Sequence, residues 1–189
     1  GTAEVDIPSV GTNDNIRGEI ATDAADSYTP VSGEFAYTYV WKKDGVVEAD
    51  LTDIIVPSER TIKGEEWELE ITASDGFCSG PTTSITTIVQ NTQPDINSVS
   101  LSPLVGVAPG TNLDCFVVAT DDDADPLNYT FTWRNSTTGI TLDTQALTTP
   151  EDSYTLPATQ VSNGDEIICE VTVNDGTDDS QTLSSSVIV

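Results

Sequence analysis

The amino-acid sequence predicts an all-β chain built as two tandem β-sandwich domains. Three observations lead there. Apolar and aromatic residues alternate with polar ones over short runs, the period of a half-buried strand. Glycine, asparagine and aspartate turn signals separate the runs, and no amphipathic helix of useful length interrupts them. The second half of the chain also repeats anchors of the first, and 189 residues suit two domains of the roughly 100-residue sandwich class.

In chain order, Asp6-Ile7-x-Ser9-Val10 opens the first copy. Tyr37, Tyr39 and Trp41 share one strand face, and Lys43-Asp44-Gly45 turns the chain after them. Trp67, Leu69, Ile71 and Ala73 form the next inward face, closed by Ser74-Asp75-Gly76, and Ile88-Val89 ends the copy. The second copy opens with Asp95-Ile96-x-Ser98-Val99 and continues with the face Leu113, Cys115, Val117 and Ala119. Tyr129, Phe131 and Trp133 answer the earlier tyrosines and tryptophan. Asn163-Gly164 precedes Ile167, Cys169, Val171 and Val173, and Asn174-Asp175-Gly176 follows them. Ile188-Val189 matches Ile88-Val89.

The longest shared pattern is Gly64-x-Glu66-x3-Glu70-x-Thr72-x2-Asp75-Gly76 against Gly164-x-Glu166-x3-Glu170-x-Thr172-x2-Asp175-Gly176. It sets the expected domains at 1–90 and 95–189, with residues 91–94 as a Pro-containing linker. In this alignment Leu69 stands for Cys169 and Gly18 for Cys115, although the Ala-Thr-Asp match at 21–23 and 119–121 shifts that strand by one residue. The ends match in register as well, Val189 with Val89 and residues 1–5 with residues 90–94. That suits a segment of a longer array or a subunit that polymerises head to tail.

Six Lys and Arg face 32 Asp and Glu, a net charge of −26. Residues 1–90 hold 17 acids and 5 bases and residues 91–189 hold 15 and 1, so both domains are acidic. Such a surface repels phosphate backbones and anionic lipid, which argues against nucleic-acid or membrane-surface partners. Divalent cations, cationic surfaces or high salt are the compatible surroundings. No apolar run approaches a bilayer-spanning length. The absence of a signal peptide and of any Met suggests a mature or excised product.

Residues 95–103, 113–115, 119–127, 129–133 and 168–176 together resemble the immunoglobulin-like repeats of prokaryotic cell-surface proteins, related in style to polycystic-kidney-disease and cadherin-like modules. The resemblance covers nearly all of residues 94–189 and, more weakly, 6–90. It implies extracellular, repetitive, non-catalytic proteins that extend, adhere or assemble. It also implies that Cys115 and Cys169 are joined between two sheets with Trp133 packed on the bond. The pairing implies an oxidising compartment, and closing so long a loop contributes roughly 4 kcal/mol in the chain-entropy model. The first copy lacks the bond and is expected to be the less stable half. Two departures separate the chain from antibody domains: Ile167 occupies the tyrosine-corner position, and the interval from Cys115 to Trp133 is longer.

The densest chemical feature is Asp121-Asp122-Asp123-Ala124-Asp125-Pro126. In the implied fold its loop shares an end with the loop holding Asp175, Asp178 and Asp179, the end that faces the linker. Calcium takes six to eight oxygen ligands, which clustered aspartates and backbone carbonyls supply. Asp121, Asp122, Asp123, Asp125 and Asp175 are therefore candidate calcium ligands that would stiffen the interdomain joint; the alternative is a solvated acidic loop. The matching end of the first copy carries Asp23, Asp26, Asp75 and the unmatched Cys78, either a free thiol or an intersubunit crosslink.

Asn128-Tyr129-Thr130 and Asn135-Ser136-Thr137 are sequons, making Asn128 and Asn135 candidate glycosylation sites. Asn128 has the opposite parity to Trp133 and should face solvent. No His occurs, so neither a nucleophile triad nor an ordinary zinc site can be assembled, and acids this abundant make any glycosidase pair uninformative. Tyr28, Phe77 and Tyr154 lie outside the expected core faces and are a thin basis for a sugar platform.

The expected role is structural: a subunit or repeat segment of an extracellular filament, pilus-like fibre or surface layer, whose partners are copies of itself or neighbouring repeats. Val5, Ile7, Val187, Ile188 and Val189 are the terminal segments that could exchange between subunits by strand addition. The rival is an adhesin or a carbohydrate- or protein-binding surface module.

Overall fold

The computed structural model describes residues 4–22, 35–148 and 152–189. The chain divides into two compact units, Gly1–Asn91 and Thr92–Val189, each with its own hydrophobic core.

The first unit runs β1 (Glu4–Asp6), β2 (Ile16–Arg17), β3 (Glu19–Thr22), β4 (Ala36–Lys43), β5 (Val46–Val47), β6 (Ile55–Val56), β7 (Glu66–Ser74) and β8 (Ser79–Ile88). Its main sheet has the antiparallel order β5-β4-β7-β8, faced by the pairs β1-β3 and β2-β6. The alternation of the sequence becomes geometry in β7, where Trp67, Leu69, Ile71 and Ala73 are buried while Glu68, Glu70 and Thr72 stay partly exposed. Trp41 and Trp67 meet edge to face with centroids 6.3 Å apart, a geometry that aromatic quadrupoles favour. Asp44 and Gly45 both have positive φ, 48° and 79°, the left-handed pair that a tight two-residue hairpin between β4 and β5 requires.

The second unit runs β9 (Asp95–Ser102), β10 (Leu113–Thr120), β11 (Asn128–Asn135), β12 (Ile140–Thr148), β13 (Ser153–Leu156), β14 (Glu166–Asn174) and β15 (Leu183–Ile188). Sheet β13-β10-β9 packs on sheet β12-β11-β14-β15, a three-on-four sandwich. Cys115 on β10 and Cys169 on β14 are joined between the sheets, with Cα atoms 6.4 Å apart. Trp133 lies directly across β11 and β14 from Cys169, and all three side chains are fully buried.

The two units share their construction in detail. Trp41 faces Leu69 as Trp133 faces Cys169. Gly64 N–H donates to the Val89 carbonyl and Gly164 N–H to the Val189 carbonyl, both at 2.9 Å. The principal difference is at the strand matching β10, which in the first unit is split at Gly18 into β2, paired with β6, and β3, paired with β1.

The terminal segments have partners inside their own units. Val5 pairs with Ile20, and Ile7 is buried in the first core. Val187 pairs with Ile167 and Ile188 with Glu166, while Val189 N–H donates to the Asp165 carbonyl. Val187 and Val189 are buried and Ile188 is exposed, so releasing this strand would uncover core and break its ladder together. The reading of Tyr154 is corrected: it packs on the second core, 6.1 Å from the Phe131 ring, and its hydroxyl donates to Asp143 Oδ2 at 2.8 Å.

Candidate metal centre

Two loops of the second unit build its acidic end. Beyond β10 the chain turns back on itself: Ala124 N–H donates to the Asp121 carbonyl at 3.2 Å, and Asp125 N–H donates to Asp121 Oδ1 at 3.1 Å. Ala124 adopts φ of 59°, left-handed backbone that places Asp125 alongside Asp121. Beyond β14, Asp175 Oδ1 accepts from Thr177 N–H and Asp178 N–H, each at 2.6 Å, the Asx pattern that fixes a short polar turn. Asp123 Oδ2 accepts from Thr92 N–H at 2.8 Å and so ties the acidic loop to the first residue of the unit.

Of the five candidate ligands, the structure brings together Asp121, Asp125 and Asp175, each with a carboxylate oxygen within 4.8 Å of the others. Asp122 is exposed and lies outside that group. Asp123 is adjacent, held by Thr92. Asp179 turns away to accept from Asn174 Nδ2 at 2.8 Å.

Electrostatics decides what this cluster can hold. Two unit charges about 5 Å apart repel by roughly 3 kcal/mol at an effective dielectric near 20. Asp121 Oδ2 and Asp123 Oδ1 are buried without a hydrogen-bond donor, the costly state that buried carboxylate oxygens normally avoid. An all-oxygen, all-anionic donor set suits a hard divalent cation rather than a thiolate- or imidazole-seeking metal. Oxygens on opposite sides of a calcium ion lie about 4.6–5.2 Å apart, so the three carboxylates fit one coordination sphere. The residues present therefore fit calcium.

The first unit keeps only part of this arrangement. Asp75 Oδ1 accepts from Cys78 N–H at 2.7 Å and Phe77 N–H at 2.8 Å, reproducing the Asp175 turn. The Cys78 and Phe77 amides hold the Asp75 carboxyl below the usual carboxylate range. Cys78 is a free, exposed thiol, and Phe77 beside it is 87% exposed. Asp23, Asp26 and Tyr28 lie outside the described residues.

The two sequons differ sharply. Asn128, at the start of β11, is partly exposed. Asn135 is only 5% exposed, and its Oδ1 accepts from Thr138 N–H at 3.1 Å, so the folded chain does not offer it to a glycosyltransferase. Asn135 has the same parity as Phe131 and Trp133, a signal the sequence carried.

No protein-family model matches the chain, and none of the curated proteins is significantly similar to it in sequence. Solved structures do resemble it. The chicken interferon gamma receptor alpha chain aligns over 99% of this chain and 97% of its own, with a TM-score of 0.57 and 12% identity. A two-domain fibronectin type-III segment of chicken tenascin aligns over 99% and 98%, with a TM-score of 0.49 and 11% identity. At such identities the likeness concerns the fold alone. The chain is a tandem of immunoglobulin-like β-sandwiches. Among the described residues no helix is long and apolar enough to cross a membrane.

Proposed function

We propose that this chain is a non-catalytic, extracellular pair of structural repeats, a segment of a surface array or filament. Copies of itself or neighbouring repeats are its partners. The observation that carries the reading is the duplication: two units with separate cores repeat the same ladder pairs and the same terminal carbonyl contacts. Repeat architectures gain length and stiffness by adding such units. The intersheet disulfide supports an oxidising, extracellular setting.

Calcium at Asp121, Asp125 and Asp175 serves this role by neutralising the acidic end and locking the loop that holds Thr92. Copies assemble head to tail. Size-exclusion chromatography with light scattering, in millimolar calcium and in excess chelator, followed by electron microscopy of the largest species, tests the reading. Calcium-dependent fibres or sheets with a two-domain repeat support it; a monomer in both buffers refutes self-assembly.

A further inference from the structure

We propose that the second unit carries a binding pocket for an organic cation with an aliphatic stem, such as a lysine side chain or a linear polyamine. A cavity of about 530 Å³ opens where the first residues of β9, the end of β10 and the first residues of β15 converge. β9 and β15 are edge strands of opposite sheets, so the cavity sits at the seam of the sandwich. Its size falls in the range of small-molecule sites.

The lining is of two kinds. Pro94, Ile96 and Leu183 supply an apolar wall, and Asp95, Asp122 and Gln181 supply polar groups, two of them carboxylates. The unit itself has little to neutralise them with. Residues 91–189 hold 15 acids and a single base, Arg134, whose Nε donates to Glu170 at 2.6 Å on the four-stranded sheet. Cationic charge for this pocket must therefore come from outside the unit. An inorganic cation would use the carboxylates and leave the wall wet, and a neutral ligand would leave the carboxylates uncompensated. An ammonium on a methylene chain satisfies both, laying its stem on Pro94, Ile96 and Leu183 and its head between Asp95 and Asp122. The pocket is distinct from the Asp121, Asp125 and Asp175 cluster, and the proposal does not depend on the array reading.

The test is an NMR titration of the ¹⁵N-labelled full chain with spermidine and, separately, with a short neutral-capped peptide bearing one lysine, in millimolar calcium. Saturable shifts confined to residues 92–96, 120–122 and 181–183 are expected. Asp95→Asn and Asp122→Asn should each weaken binding up to about five-fold, the scale of an exposed charge pair. Leu183→Ser should weaken it too, while the rest of the spectrum stays folded. The tighter of the two probes identifies the source, free polyamine or protein side chain. Shifts spread evenly over the acidic surface, the absence of saturation, or indifference to Leu183→Ser would overturn the proposal.

Discussion

A β-carbon placed on Gly18 would lie 2.4 Å from Leu69 Cδ2 and 3.0 Å from Ile54 Cγ1. Gly18 N–H donates to the Ile54 carbonyl at 3.0 Å, next to the β2-β6 pairing. In the second unit Cys115 pairs with Tyr154 and is bonded to Cys169. Where that unit has a covalent bridge between its sheets, the first has a leucine filling the space above a glycine. One intersheet contact is thus made in two chemistries.

Gly18→Ala should destabilise the first unit by about 1–3 kcal/mol, the usual cost of overpacking. Its melting temperature should fall by about 4–8 °C for each kcal/mol lost. Adding Leu69→Ala should recover part of the Gly18→Ala penalty, so that the double variant loses less than the sum of the two single ones. Strict additivity in a denaturation series would show that the two side chains do not compete for this space.

Replacing both Cys115 and Cys169 by Ala should cost the second unit about 2–5 kcal/mol. The transition of the first unit should stay where it was. Calorimetry on the whole chain reads both at once.

Asp75 makes the first unit sensitive to acid. Its folded pKa lies below the ordinary value of 3.8 because the Cys78 and Phe77 amides stabilise the anion. The stability it confers is complete above that ordinary value and is lost as pH falls through the lower folded value. Asp75→Asn should therefore flatten the acid limb of the first unit's unfolding profile below about pH 4. An unchanged limb would mean the turn does not depend on the charge.

Glycan occupancy, where the chain is glycosylated, should be found at Asn128 and not at Asn135. Mass spectrometry of tryptic peptides from native material distinguishes the two. Occupied Asn135 would require modification before the strand closes.

Much of this architecture was legible because strand periodicity is a local signal. The inward faces of β7, β10, β11 and β14 follow directly from alternation of Trp, Leu, Ile, Val and Cys with polar residues. The tandem repeat fixed equivalence over long stretches, down to Val89 and Val189. Where a strand breaks, the reading failed: the split at Gly18 left a one-residue ambiguity that only the contact with Leu69 resolves. The acidic loops were visible in composition, yet their ligand set depended on backbone turns. The turn at Ala124 brings Asp125 back to Asp121, while Asp122 stays exposed. Tyr154 packs on the core from a strand of only four residues, too short for its alternation to show in the sequence.

Scanning calorimetry of the whole chain in millimolar calcium and in excess chelator tests most directly whether the second unit carries a cation site in a two-unit structural repeat. Calcium should raise the melting temperature of the disulfide-bearing unit alone, by about 2.7 kcal/mol of added stability at a hundredfold excess over the dissociation constant. Asp121→Asn, which retains the acceptor for the Asp125 amide, should abolish that rise. A calcium effect that is absent, or that falls equally on both units, would contradict the site.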